Sequence, residues 1–352
     1  MAEANYPLLR RRLFSWFRRH QRDLPWRHSA DPYAIWISET MLQQTQVKTV
    51  LPYYGRFIDT FPTVAALAGA PLQKVLRLWS GLGYYRRAEN LHKAARQIMR
   101  QHGGVMPRAY DQLRALPGIG DYTAGALLSI AFGESYPAVD GNVRRVLGRL
   151  LGAKSNAEIH ACAAKVAKTN QSGNLNQALM ELGATLCTPR EPRCVDCPVA
   201  SLCLGRDDCG RIEPAKASTK YRAVTWPQAI VVYNRQILLR RRQSRGLLAK
   251  LWELPGAELA ASATIAGTMA KELRQLQLGR AKPARLGELR HSITDRRILA
   301  PVLLYRWPVK RSAPVADPNW RWIAPAQLQR YATSSLTAKA VKLFLDYEKS
   351  SV

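Results

Sequence analysis

A carboxyl group among apolar neighbours on a helix is poised for chemistry, and Glu39 occupies such a place. Ile35, Glu39 and Leu42 fall at i, i+4 and i+7, on one helical face. Asp31 before Pro32 supplies an N-cap and a first-position proline, so the helix is expected to start there and run through Glu39. A carboxyl desolvated in this way has its pKa raised and keeps its proton near neutral pH, the state a general acid needs. A second acid, Asp140, stands before Gly141-Asn142-Val143 and a helical run, where free amides and the helix dipole favour its charge. A protonated acid paired with an ionised carboxylate is the equipment for breaking a glycosidic bond through a cation-like sugar. The bland alternatives are a solvated helix face for Glu39 and simple capping for Asp140, and capping can coexist with catalysis.

Cys187, Cys194, Cys197 and Cys203 leave six, two and five residues between successive thiols, while Cys162 and Cys209 stand alone. Such crowding argues for a metal site in a reducing compartment over a disulfide framework. Four thiolates in one short loop suit either a tetrahedral zinc or a four-iron, four-sulfur cluster. The single CxxC inside a compact run is unlike the two distant knuckles of a zinc ribbon, and spacing alone leaves both metals open. A third feature, Leu116-Pro117-Gly118-Ile119-Gly120, lies between two helical segments. Its glycines permit a tight turn whose amides converge on an anion at a helix start, although the run alone could be an ordinary helix–helix turn.

These residues need a scaffold. At 352 residues the chain exceeds one ordinary core and suggests two domains. From Leu8 to Cys203 it reads as helix after helix, residues 204–224 as a polar linker, and Gln228–Leu239 and Ile298–Trp307 as strands separated by a helix over Thr264–Leu278. The Arg-rich opening, Met1–His20, puts Leu9, Leu13, Trp16 and Phe17 on one face and reads as a surface helix in preference to a transit peptide. Fifty-three Lys and Arg against 25 Asp and Glu give a net charge of +28, which draws in polyanions, nucleic acid first among them; arginine drift is the alternative. No apolar run is long enough to span a bilayer, and a membrane protein is not expected.

Followed by Asp121-Tyr122-Thr123-Ala124-Gly125 and Val139–Val143, the glycine turn resembles the helix-hairpin-helix glycosylase superfamily, and the cysteine spacing is similar to that of its endonuclease III and MutY branch. Arg22–Arg27 and Ser38–Val47 resemble MutY adenine glycosylases. The resemblance implies a multidomain chain: an all-α helix-hairpin-helix glycosylase domain (1–203) with an iron–sulfur cluster loop (187–203), the linker, and an α+β Nudix-like domain (225–345). It implies a DNA repair enzyme that hydrolyses adenine from double-stranded DNA where it is mispaired with 8-oxoguanine or guanine. Glu39 would protonate adenine N7, Asp140 would stabilise the sugar cation, and Asn142 and Tyr122 would support the charge of Asp140. Arg27, Trp26 and Gln177 would form the adenine pocket. Gln44, Thr45, Leu82 and Tyr84 match positions that contact or wedge beside the lesion. Gly118 and Gly120 would grip a phosphate, as would Arg190 and Arg193 in the cluster loop, and one 4Fe-4S cluster would be the cofactor.

Bifunctional relatives carry a lysine where this chain has Tyr122, and a phenol cannot form an imine, so base release without strand cleavage is expected. Leu247–Gly256 resembles the Nudix-like domain of the MutY family, but Lys271-Glu272-Leu273-Arg274-Gln275-Leu276 lacks the acids of a working Nudix hydrolase. That domain therefore reads as a lesion-binding module. Its recognition loop, His-x-Phe-Ser-His in many members, is here His291-Ser292-Ile293-Thr294-Asp295, with Ile293 and Thr294 as the candidate contacts. A monomer working in the bacterial cytoplasm, at the nucleoid, is expected. The rivals are an endonuclease III-like lyase acting on oxidised pyrimidines and a non-catalytic DNA-binding protein.

Overall fold

The computed structural model describes residues 5–207, 221–243, 246–276, 282–307 and 317–350. Most of the expected linker, Cys209 and the end of the expected helix beyond residue 276 lie outside them. The chain forms two compact units. The first comprises Met1–Ala70 and Arg86–Lys216, the second Pro71–Tyr85 and Ala217–Val352.

The first unit is helical: α1 (Tyr6–His20), α2 (Pro32–Leu42), α3 (Val47–Thr60) and α4 (Val64–Gly69) precede the chain's excursion into the second unit, which contains α5 (Leu72–Leu78). It resumes with α6 (Arg86–His102), α7 (Tyr110–Arg114), α8 (Asp121–Ala126), α9 (Gly141–Leu151), α10 (Asn156–Ala167) and α11 (Ser172–Thr185). Leu9, Leu13, Trp16 and Phe17 of α1 are buried against α9, α10 and α11, as an amphipathic surface helix requires. The second helix of the hairpin is shorter than its apolar run suggests, because after Ala126 it widens into a π-turn over Leu127–Ala131. Asn176 fastens that turn to the loop before Asp140, donating to Ser129 Oγ and Tyr136 O and accepting from Ala138 N.

The second unit is built on one mixed sheet. Its strands are β1 (Arg222–Thr225), β2 (Gln228–Tyr233), β3 (Gln236–Arg241), β4 (Trp252–Glu253), β5 (Ala284–Ile293), β6 (Arg296–Arg306) and β7 (Trp320–Ile323). The order is β1-β6-β2-β3-β4, with β5 on β6 and β7 on β3. Side chains alternate between the faces of a strand. Val231, Leu238, Leu303 and Tyr305 pack with Met269, Leu273 and Leu276 at and after α12 (Ile265–Glu272). Ile230, Ile237, Val302 and Leu304 pack on the other side with Ala340, Val341 and Phe344 of α13 (Ser335–Ser350).

Two sequence expectations change here. The run Gln228–Leu239 is a hairpin and not one strand, because Asn234 and Arg235 both adopt positive φ, 46° and 59°, the backbone of a two-residue turn. Residues 71–85 group with the second unit, carrying Leu82 and Tyr84 there. The physical reason is where the segment's bonds go. Gln73 donates to the Lys250 carbonyl, Ser80 and Tyr85 hydroxyls donate to the Thr333 carbonyl, and Val75, Leu76 and Trp79 are fully buried.

Candidate active site

A cleft of about 940 Å³ in the first unit gathers Glu39, Asp140, Tyr122, Asn142, Arg27, Trp26 and Gln177. Helix α2 starts where expected: Asp31 accepts from Tyr33 N and Pro32 occupies the first turn. The helix is buried nearly all round and carries Glu39 with it, 7 % exposed. Desolvation pushes the Glu39 carboxyl up to about 7; Tyr122 and Arg27 pull it down, and Asp140 pushes it further up. The acid therefore holds a proton at neutral pH and can release it.

Tyr122, at the start of α8, donates to Glu39 Oε2 at 2.5 Å and lies 3.5 Å from Met180 Sδ. The phenol is thus bonded to the acid, with the Asp140 carboxyl also near it. Burial, with the carboxyls of Glu39 and Asp140 beside it, raises its own pKa well above the usual value, so it remains a donor. Asp140 caps α9, accepting from Val143 N at 2.7 Å and from Asn142 Nδ2 at 2.9 Å. The bonds continue outward, Arg145 donating to Asn142 Oδ1, the Gly183 carbonyl and the Cys187 carbonyl. Gly183 permits the approach, since a Cβ there would lie 2.6 Å from Asn142 Cβ.

Arg27 is held by a residue that sequence reasoning missed. Glu181, its side chain fully buried, accepts from Arg27 Nη2 at 2.7 Å and from the Arg22 side chain at 2.7 and 2.9 Å. Burial alone would raise the Glu181 carboxyl, but hydrogen bonds from Arg22 and Arg27 outweigh it and hold the group ionised. The available signal was spacing, for Gln177 and Glu181 are i and i+4 on α11. Arg87 was also missed: it donates to the Thr40, Met41 and Gln43 carbonyls and to Thr45 Oγ1, closing the end of α2. Gln44, at φ 56°, and Thr45 line the cleft beside it.

The remaining candidates lie elsewhere. In the hairpin, Gly118 has φ 85°, and a Cβ there would stand 2.9 Å from Asn90 Cβ. Gly120, as the N-cap of α8, offers no side chain to the helix amides, which leaves them for an external anion. Arg190 and Arg193 are exposed. In the second unit Ile293 ends β5 and Thr294 begins the turn into β6, with Leu82 buried and Tyr84 46 % exposed at φ 48°.

Cys187, Cys197 and Cys203 pack against the α1–α9–α10–α11 core. Burial raises the Cys197 thiol to about 11, and the other three thiols add to the rise. Among the described residues no three His, Cys, Asp or Glu side chains are gathered tightly enough for one ion. A four-iron cluster takes each thiolate on a different iron, so its ligands stand wider apart, and four thiols within one another's field fit that donor set. Arg149, 2 % exposed, fixes the loop by donating to the Thr188 and Pro189 carbonyls and, at 3.5 Å, to Cys187 Sγ.

The helix-hairpin-helix base excision DNA repair family (HhH-GPD) matches residues 37–171, and a NUDIX domain matches residues 228–343. The structure of a thermostable thymine-DNA glycosylase is similar over 58 % of this chain and 97 % of its own, with 29 % identity and a TM-score of 0.54. An endonuclease III trapped on DNA shares the fold at a TM-score of 0.51 and 24 % identity, over 58 % of this chain and 99 % of its own. Fold and cleft together define a base-excision DNA glycosylase of the helix-hairpin-helix class, with a Nudix-like α+β domain. Human adenine DNA glycosylase is 34 % identical over 97 % of this chain and 74 % of its own length, and the enzyme from Buchnera aphidicola (strain Bp) 38 % identical over 69 % and 72 %. The chain belongs to the MutY family of adenine DNA glycosylases.

Proposed function

We propose that this enzyme hydrolyses the N-glycosidic bond of adenine paired with 8-oxoguanine, or with guanine, in duplex DNA, without cutting the strand. The observation that carries the reading is Glu39, a buried acid of pKa about 7 joined to the Tyr122 hydroxyl. Adenine extruded from the duplex, at roughly a few kcal/mol of lost stacking, would enter the cleft between Trp26, Arg27 and Gln177. Glu39 protonates N7, which makes the base a leaving group. Asp140, fixed by Val143 N and Asn142, stands as the anion that stabilises the sugar cation until water adds. The phenol of Tyr122 holds the acid and offers no amine for strand cleavage.

Cys187, Cys194, Cys197 and Cys203 would hold one 4Fe-4S cluster, whose service is to tie the loop carrying Arg190 and Arg193 to the core. No described helix is long and apolar enough to cross a membrane, and the working place read for the enzyme is the nucleoid of a bacterial cytoplasm, as a monomer. For lesion choice, Thr294 sits in a hairpin turn at φ 53°, a strained setting for a β-branched residue and one that marks sites of function. Its hydroxyl proton is engaged by the Ile293 carbonyl or by Asp295 Oδ1, which leaves the oxygen an acceptor. Such an oxygen suits the N7–H that 8-oxoguanine has and guanine lacks.

The test is base release from duplexes with adenine opposite 8-oxoguanine, guanine or thymine, with nicks read before and after alkali. Release opposite the first two, nicked only after alkali, is expected, and Thr294→Ala should slow the lesion pair several-fold while leaving adenine opposite guanine nearly unchanged. Nicks without alkali, or release opposite thymine at an equal rate, would contradict the reading.

A further inference from the structure

Beyond the catalytic cleft the first unit carries a second concavity, a groove of about 800 Å³ between α1 and the cluster loop. Arg11, Arg12, Arg19 and Arg193 line it together with His20, against a single carboxylate, Asp196. Trp16 and Leu186 supply the apolar part of its wall. The arginines of α1 are divided between two tasks. Arg10 is spent inside the fold, donating to the Val166 and Lys165 carbonyls. Arg11 and Arg19, both exposed, are eight residues apart, about 12 Å along the helix, with Ser15 between them on the same stripe. A row of cations of that length has room for more than one phosphate.

The groove and the cleft are built on the same two pieces of chain. Helix α11 places Glu181 and Ala184 in the cleft, and Leu186, just past its end, in the groove. The end of α1 places Arg19 and His20 in the groove, and Arg22, two residues on, in the cleft. A nucleotide whose base occupies the cleft stays tied to its neighbours by phosphodiesters, so its strand runs over the surface beside the cleft, and this rim is the cationic part of that surface built on α1.

We infer that the groove is a second phosphate track, which takes the backbone of the adenine-bearing strand next to the extruded nucleotide. The inference rests on the glycosylase reading of the cleft. An acidic peptide would satisfy the charge but not the position beside the base pocket, and the backbone is therefore the assigned occupant.

Full-length R11Q/R19Q and R11K/R19K test it, through binding across a salt series to a duplex bearing a non-hydrolysable 2′-fluoroadenosine opposite 8-oxoguanine. Each phosphate that the protein no longer neutralises lowers the slope of log affinity against log salt by about 1. R11Q/R19Q should therefore lose about 2 from the slope and R11K/R19K should keep it, which separates charge from folding. Neutral methylphosphonates flanking the adenine should weaken the natural enzyme several-fold and R11Q/R19Q by less. An unchanged slope, or methylphosphonate losses that add in full to those of R11Q/R19Q, overturns the inference. Failure of the natural enzyme to release adenine from the unmodified lesion duplex would instead overturn the reading of the cleft, so the two failures are distinct.

Discussion

Glu39 is placed where its charge is costly, and that cost is what makes it an acid. Its carboxyl, raised from its ordinary value to about 7 chiefly by burial, stays protonated in the fold over a pH range in which the unfolded chain has already lost the proton. The unfolded state then binds fewer protons than the native one, so this group makes stability fall as pH rises from about 4.5 toward 7. Glu39→Gln removes the charged form and should raise the melting temperature, by little near pH 5 and by several degrees near pH 8, at the expense of catalysis. Melting curves at the two pH values check this, and a gain equal at both would mean that the carboxyl is not desolvated. Arg27 and Glu181 show the opposite arrangement, a buried pair whose charges satisfy each other.

The elements put these groups in place through their ends. Helix α2 is opened by Asp31 and closed by Arg87; α9 is opened by Asp140, whose carboxylate has two duties that Asp140→Asn separates. Asparagine caps about as well as aspartate. The variant should therefore melt within about 1 kcal/mol of the natural chain yet release adenine at least 100-fold more slowly. Stability lost in step with activity would reduce Asp140 to a cap.

The starts of α2 and α9 were legible because capping residues and prolines act locally, and the burial of Glu39 because apolar spacing reports a helical face. Glu181 was not, since a single acid in the apolar run Ala178–Ala184 declares its partners only when Arg22 and Arg27 arrive from far along the chain. The turn at Asn234-Arg235 was hidden for want of a glycine. Strand β5 was hidden because the irregularity at Arg285/Gly287 interrupts its alternation and only half-buried side chains, with no fully buried apolar row, mark its inner face.

At the scale of the molecule, charge and connectivity are unevenly shared. Residues 217–352 carry 24 Lys and Arg against 8 Asp and Glu, so the second unit supplies more than half of the excess positive charge. Helix α5 was legible as a helix, but nothing local in 71–85 says which unit its apolar side will join. A chain ending near Arg211 keeps the whole catalytic cleft but leaves the Gln73, Ser80 and Tyr85 side chains without the Lys250 and Thr333 carbonyls. It should be less soluble and melt lower than the full chain, and it should discriminate the lesion less. A truncated protein as soluble and heat-resistant as the whole would show that the segment does not depend on the second unit.

The central claim, adenine release driven by a proton held on Glu39, is tested most directly by single-turnover release from the adenine–8-oxoguanine duplex across pH, for the natural enzyme and Glu39→Gln. The natural enzyme should hold its rate below about pH 7 and lose it as pH rises through the Glu39 pKa, about tenfold per unit beyond. Glu39→Gln should bind the duplex and release essentially no adenine at any pH. A Gln variant with the natural rate, or a natural rate that climbs through pH 7, would contradict the account.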